Sequence, residues 1–454
     1  MPGQRDRAQV TAADPTIECE NVEEENLHGT TFSTAITVLC NVIGGGVLAL
    51  SCAYHYTSLV YGVFFLLYIG FLSLLSMILL VIMAYHTKEY TYMGLARCAF
   101  EGIFQNRPEL NQKLVGSASG KKGYSNKGYM SAIVEGAVLL YTFGCAVMYI
   151  VVIGDSMGPL AKSWMRLSGF YASEKFWIVV TAPILFVLSS ARKITELKVS
   201  SIIAFITILY VGVVVAIRYG EEAYRQASVI TASDRRVRVA TVTKDLPKAI
   251  PLLTVCFGMH YNIPPLFHEL RNRSVPKMKR ALIPAFAVIV SLYLEMGILG
   301  YLHFGPDVTK HGGDILAQFS HDDLLVNIGR FVMLLHFACV YPLLAIGCRR
   351  SLNLFLFKGD ASVSTLVRVS EALAIVTLSS ILAAFSSGIS QVLAFNGSLF
   401  GLHIIMTFPA LMYAKIFRDT LRMREKVLIV VLFVSGILFS IAGSVAHICA
   451  IASN

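Results

Sequence analysis

Three consecutive glycines, Gly44, Gly45 and Gly46, stand in the middle of a membrane-length apolar stretch, 31–51. A second irregular run, Cys256-Phe257-Gly258-Met259-His260 followed by Pro264-Pro265, stands in another. Residues of these types interrupt helices. Each glycine lowers helix propensity by about 1 kcal/mol relative to alanine, and the paired prolines remove two backbone donors and disfavour helix just upstream. Backbone groups freed inside hydrocarbon are costly unless a neighbour, a water or a bound solute satisfies them. The chemistry on offer is therefore recognition without covalent bonds. Half-helix N-termini present N–H groups to a carboxylate, and half-helix C-termini present carbonyls to an amine or a cation. An α-amino acid carries both groups. The plain structural alternatives are a glycine-rich packing face at the first run and a proline kink at the second.

Ionisable residues within apolar stretches are the other candidates, because a charge in hydrocarbon is costly and faces a cavity or a partner. They are Glu135, Glu295, Arg330, His260, His336 and His403. Glu295 and Arg330 differ in expected depth by about 5 Å at 1.5 Å per residue, so a buried pair is expected, with a proton-carrying or cation-attracting Glu295 as the alternatives. His260, at the second break, suits a proton relay near neutral pH; the alternative is a ring satisfied by backbone. His336 and His403 are read as caps on neighbouring carbonyls, and Glu135 as meeting a basic loop. Tyr141, Phe257 and Tyr341 are candidate aromatic walls, against ordinary packing. No nucleotide-binding glycine loop, metal-ligand spacing or nucleophile constellation stands out. The chain is not read as an enzyme, and neither a cofactor nor a metal is expected.

The elements that hold these residues are set by composition. The chain has 454 residues, 56% hydrophobic and 15% charged, with mean hydropathy +0.66. That excludes a soluble multidomain protein and gives an all-α polytopic membrane protein. Eleven candidate spans lie at about 30–53, 59–86, 130–157, 176–191, 199–217, 247–268, 281–304, 324–347, 365–386, 391–415 and 427–451. Merging the fourth and fifth, which only a short charged connection separates, would give ten. The two interrupted stretches are spans one and six. Corresponding breaks five spans apart are the pointer to an inverted-repeat transporter with its solute at the repeat interface. Repeat one is expected at about 30–217, repeat two at about 247–415 and an extra helix at about 427–451.

Residues 1–28 are polar and acidic and lack the basic start and apolar core of a cleavable signal peptide. They are expected to be a disordered cytoplasmic tail. With the N-terminus inside, 26 Lys and Arg fall on the inner side and 11 on the outer side, which supports that orientation. The connection 218–248, with Arg235, Arg236 and Arg238, is the exception. The net charge of +10 thus reflects the inner-side bias, and no nucleic-acid partner is expected. The external loops offer no obvious cysteine pair, so no structural disulfide is expected. The sequon at Asn396 lies inside a span and is not expected to be glycosylated.

The stretch from His260 through Pro265, Glu269 and Arg271 to Met278 resembles the amino acid/auxin permease superfamily, especially its neutral amino acid transporters. Four further segments agree: Cys40-Asn41 through Gly44-Gly45-Gly46, Tyr149 through Gly154-Asp155, Gly300-Tyr301 through Phe304-Gly305, and Tyr341-Pro342 through Arg349-Arg350. The resemblance covers nearly everything after residue 28. It implies a leucine-transporter-like fold, five-plus-five inverted repeats with an eleventh helix, and amino acid transport. In the sodium-coupled members the eighth helix carries threonines before the proline, where this chain has Phe337-Ala338-Cys339-Val340-Tyr341-Pro342. A hard cation wants oxygen ligands, so H+ coupling or facilitative transport is the expectation, with sodium coupling and an amino acid sensor as alternatives. The expected solute site comprises Asn41, Ile43, Gly44, Gly45, Gly46, Tyr141, Cys256, Phe257, Gly258 and Tyr341, with His260 and Glu295 as proton-coupling candidates. Its partners are an amino acid substrate and membrane lipid. The plasma membrane is expected in preference to a vacuolar or lysosomal one.

Overall fold

The computed structural model describes residues 29–102, 128–190, 197–227, 237–357 and 364–452. The acidic tail 1–28 lies outside the described residues, as do Arg235 and Arg236. What is described is helical, with no strand among the described residues beyond a one-residue bridge.

In chain order the helices are α1 (Thr31–Val42), α2 (Leu50–Thr57), α3 (Leu59–Thr87), α4 (Tyr92–Glu101), α5 (Tyr129–Ser163), α6 (Glu174–Ser189), α7 (Leu197–Ala227), α8 (Leu246–Val255) and α9 (Ile263–Glu269). They continue as α10 (Val275–Phe304), α11 (Ile315–Gln318), α12 (Leu324–Phe357), α13 (Thr365–Phe385), α14 (Ile389–Asn396), α15 (Phe408–Ile416) and α16 (Met423–Ala452). Two π-helical segments, Gly397–Gly401 and His403–Thr407, join α14 to α15.

Among the described residues seven helices are long and apolar enough to cross a membrane, eight when α1 and the Gly45–Thr57 segment, bent by 50°, are taken as one span. Helices α6, α7 and the α8–α9 pair occupy the stretches read as spans four, five and six. The connection between spans two and three holds the amphipathic α4, too short and too polar to show as a membrane-length run.

Side-chain caps fix several starts. The Thr30 Oγ1 accepts the Ser33 N–H at 3.1 Å and opens α1, and the Ser274 Oγ accepts the Lys277 N–H at 3.4 Å and opens α10. The most extensive helix pairing is α5 against α12, while α10 lies against α1, α2, α3 and α7. Outward faces remain apolar, with Phe71 on α3, Leu366 and Phe385 on α13 and Ile441 on α16 all exposed. Exposed apolar surface on this scale is what lipid covers.

At one end of the bundle the Arg271 N–H donates to the Gly29 carbonyl at 3.0 Å, pairing Gly29 with Leu270 as a short parallel bridge. This strap ties the entry of α1 to the exit of α9. No side chain fits there, since a methyl at Gly29 would run into the Glu269 carbonyl. The basic 218–248 connection is partly neutralised where it is described. Arg218 pairs with Glu221 and Asp323, each at 2.6 Å, and Lys248 with Asp245 at 2.7 Å.

Candidate functional site

The first break falls at Ile43 and Gly44. The Ile43 N–H still reaches the Leu39 carbonyl at 3.0 Å, but Ile43 and Gly44 are extended and Gly45–Ala49 winds as a 3-10 turn into α2. None of the three glycines takes a positive φ. Close approach, more than conformational freedom, is what glycine supplies here. A methyl at Gly46 would stand 2.9 Å from the Cys256 Sγ, one at Gly45 3.2 Å from the Met148 Cε and 3.3 Å from the Phe337 Cζ, and one at Gly44 3.4 Å from the Tyr149 Oη.

The second break runs from Cys256 to Asn262. Phe257 and Gly258 close turns onto the Thr254 and Val255 carbonyls at 3.0 Å each, and His260–Asn262 forms a 3-10 turn. Pro264 and Pro265 sit in the first turn of α9, where an absent N–H costs no intrahelical bond. They start the second half-helix. The interruption itself lies upstream of them. Gly258 is held against α5, because a methyl there would collide with the Tyr141 hydroxyl; that hydroxyl donates to the Gly258 carbonyl at 3.4 Å.

The two breaks touch through Gly46 and Cys256, and α5 lies across both. Tyr141 faces the second break while Met148 and Tyr149, two turns further on, face the first; residues seven or eight apart share a helix face. From α12, Phe337 tilts against Tyr149 with ring centroids 4.6 Å apart. Gly44, Gly45, Gly46, Cys256, Gly258 and Tyr141 are thereby brought together, and Ile43 is buried beside them.

Others of the expected set point elsewhere. Asn41 is exposed and its Nδ2 donates to the Thr37 carbonyl of its own helix at 2.9 Å. Phe257 turns away from α5, stacked on Phe286 at 5.9 Å. The Tyr341 hydroxyl is 2.8 Å from the Ser379 Oγ of α13, which itself donates to the Ile375 carbonyl at 2.7 Å; the proton between the two hydroxyls thus comes from Tyr341.

Among the ionisable candidates, His260 is fully buried, and its Nε2 lies 3.2 Å from the Ser73 carbonyl. A carbonyl only accepts, so Nε2 carries the proton, and Nδ1 has no hydrogen-bond partner among the described residues. The expected Glu295–Arg330 pair does not form. The Arg330 guanidinium donates to the Leu316, Phe319 and Ser320 carbonyls at 2.7, 2.9 and 3.2 Å and to the Asn327 Oδ1 at 2.6 Å. It caps the C-terminal end of α11, whose last carbonyls have no intrahelical donor. Glu295 faces Gly212 of α7. Glu135 meets Arg97 of α4 at 3.9 Å. His403 lies between two hydroxyls, Thr407 Oγ1 at 3.2 Å and Ser440 Oγ at 3.1 Å, and both nitrogens of the buried His336 lack partners among the described residues.

Two contributors escaped the sequence reading. The Tyr293 hydroxyl, from α10, is 3.0 Å from the Val42 carbonyl and 2.7 Å from the Cys256 carbonyl, joining the last residue of α1 to the residue that follows α8. The chain has 20 tyrosines, and nothing local to this one marks it. Asn396, at the edge of the π-helical segment, donates to the Tyr141 carbonyl at 3.1 Å and packs against Gly144. Its sequon hinted at a polar residue inside a span, and π-helical turns often accompany functional sites.

Comparison with known proteins bears on the same regions. A family model described as transmembrane amino acid transporter protein matches residues 28–449. Amino acid transporter AVT6E of Arabidopsis thaliana is 23% identical, over 93% of this chain and 84% of its own. Sodium-coupled neutral amino acid transporter 7 of Danio rerio is 27% identical over 62% of each. Vacuolar amino acid transporter 5 of Schizosaccharomyces pombe is 23% identical over 84% of this chain and 83% of its own. Among solved structures, a Na+-coupled sialic acid symporter in a substrate-bound outward-open state gives a TM-score of 0.51 at 13% identity, over 94% of this chain and 91% of that one. MhsT in complex with L-phenylalanine gives 0.51 at 12% identity, over 92% and 98%. At such identities the likeness speaks to the fold alone. It is the leucine-transporter-like five-plus-five inverted repeat.

Proposed function

The chain belongs to the transmembrane amino acid transporter protein family, and from that premise we propose that it moves amino acids across a membrane by alternating access, linked to protons or driven by the solute gradient alone. The observation that carries this reading is the apposition of two interrupted helices at Gly46 and Cys256, walled by Tyr141, Met148, Tyr149 and Phe337. The turn starting at Gly45 offers N–H groups that a helix start leaves unpaired, suited to a carboxylate, and the Cys256–His260 turn offers carbonyls suited to an amine. Wall volume sets which side chains are accepted. No bond is made or broken in the solute.

Repeat one is placed at about 30–217, repeat two at about 247–415 and the extra helix at about 427–451. The Lys and Arg count supports an N-terminus in the cytoplasm. A plasma-membrane location is set against the vacuolar name of the S. pombe relative, and surface biotinylation separates the two. Sodium coupling is the second reading, favoured by the name of the Danio rerio relative.

The test is uptake of a panel of labelled amino acids into reconstituted vesicles with sodium and pH gradients imposed separately. Uptake that follows the pH gradient or needs neither ion supports the proposal, and a strict sodium requirement refutes it. Gly45→Leu, which drives a large side chain between Met148 and Phe337, abolishes uptake without loss of surface expression if the site is placed correctly.

A further inference from the structure

We propose that the Tyr293 hydroxyl stands in for a bound cation, filling the space between the Val42 and Cys256 carbonyls and so removing the place where a sodium ion would be held between the two helix breaks.

Where α1 and α8 stop, the last carbonyls lose their intrahelical donors and carry the negative ends of the two half-helix dipoles. Two such ends converging in a site away from water make a cation position, the use to which discontinuous helices commonly put them. In this chain the guest at that point is the neutral O–H of a tyrosine, 3.0 Å from one carbonyl and 2.7 Å from the other. A phenol has one proton to give and two acceptors waiting, so it ties the breaks together without bringing a charge.

The placement is enforced by packing. Tyr293 is fully buried, and its ring meets that of Phe257 edge-on at 5.4 Å, while Phe257 stacks on Phe286. The nearest carboxylate along α10, Glu295, lies two residues on, on the opposite side of the helix, and faces Gly212 of α7. A cation at the Tyr293 position would thus find carbonyls and no balancing side-chain charge. The inference deepens the proposed function, on which it rests in one respect: it supplies a physical reason why transport by this chain does not need sodium.

The experiment compares the unaltered protein with Tyr293→Phe in reconstituted vesicles, using labelled L-alanine, L-phenylalanine and L-lysine, with sodium chloride exchanged for choline chloride at constant pH. Removing the hydroxyl leaves two buried carbonyls unfilled, so uptake in choline is expected to fall about tenfold, and sodium is expected to restore much of it. Sodium is also expected to raise the melting temperature of the detergent-solubilised variant and leave that of the unaltered protein unmoved. That readout needs folded protein and no transport. Where the phenylalanine variant fails to fold, Tyr293→Asn, with an oxygen on a shorter side chain, is expected to show the same sodium response.

Transport by the variant at the original rate in choline overturns the proposal. So does the absence of any sodium response in both uptake and melting. A sodium requirement in the unaltered protein defeats the proton-linked or facilitative reading, and the tyrosine assignment is then judged on the difference between the two chains.

Discussion

Gly46→Ala tests the apposition of the two breaks directly. The added methyl would stand 2.9 Å from the Cys256 Sγ, 3.4 Å from its Cα and 3.6 Å from its N. The sulfur has little freedom to yield, because the Cys256 thiol donates to the Leu252 carbonyl at 3.2 Å and the residue is buried. Overpacking of this kind costs about 1–3 kcal/mol, equivalent to about a 5- to 150-fold fall in the population of the state that bears it. The neighbouring glycines are graded controls. A methyl at Gly45 meets the flexible end of Met148 at 3.2 Å, and one at Gly44 meets Tyr149 at an ordinary 3.4 Å, so damage should rise from Gly44→Ala through Gly45→Ala to Gly46→Ala. Adding Cys256→Ala to Gly46→Ala removes the offending sulfur and should recover a good part of the lost activity. The assay is initial uptake into vesicles, normalised to reconstituted protein, with melting temperature in parallel. Three alanine variants of equal activity, or a double variant no better than Gly46→Ala alone, would refute the reasoning.

Other expectations separate roles that sequence alone left merged. Arg330→Met strips donors from three carbonyls and Asn327 and should lower stability by about 3 kcal/mol. Glu295→Gln should stay within about 0.5 kcal/mol in the same denaturation assay; equal losses would revive the pair, and a Glu295→Gln variant that has lost only its response to a pH gradient would mark Glu295 as the proton carrier. Asp314 lies in the connection between α10 and α12, where burial pushes its carboxyl above the usual carboxylate range, against the pull of the Leu316 N–H and the Arg330 charge. A folded-state value above the unfolded one means that its contribution to stability is fully present below the ordinary aspartate range and is lost as pH rises through the raised folded-state value. Asp314→Asn should flatten that part of the stability profile, and an unchanged profile would contradict the assignment. Asn396→Ala, which removes the bond to the Tyr141 carbonyl, should lower stability by about 1–2 kcal/mol, read by thermal melting; no change would mean that α5 is positioned without it.

How much of this was readable from the chain depended on whether the signal was local. The positions of the membrane-length helices follow from apolar run length, and both breaks were marked by residues that disfavour helix, Gly44–Gly46 and the stretch before Pro264-Pro265. The role of each marker was less legible: the glycines serve close approach, and the prolines open α9. Partners were legible only where sequence and depth coincide. Arg330 was matched by depth to Glu295, yet its carbonyl acceptors lie in and just after α11, a one-turn helix in a connection that carries no strong period. Tyr293 reaches both breaks because of where α10 crosses them, a relation between three distant segments that no window of sequence contains. Asn41 and Tyr341 fell within the right spans, but the angle about the helix axis sends one to the exposed side and the other to Ser379.

The Gly29–Leu270 strap has a kinetic meaning. It fastens the free ends of α1 and α9, the two half-helices on the same side of the breaks, through a main-chain bridge that includes the Arg271 N–H to Gly29 carbonyl bond. Each bond of such a bridge is worth about 0.5–1.5 kcal/mol net, or about a two- to tenfold bias between two populations. On the proposed transport cycle, a contact of that size biases how this end of the bundle opens without locking it. Under the alternating access proposed above, either the strap parts first and α1 swings alone, or the two half-helices travel as one lever arm and the bridge survives the stroke. In the first case the strap throttles the frequency of opening; in the second it gives the moving part its stiffness.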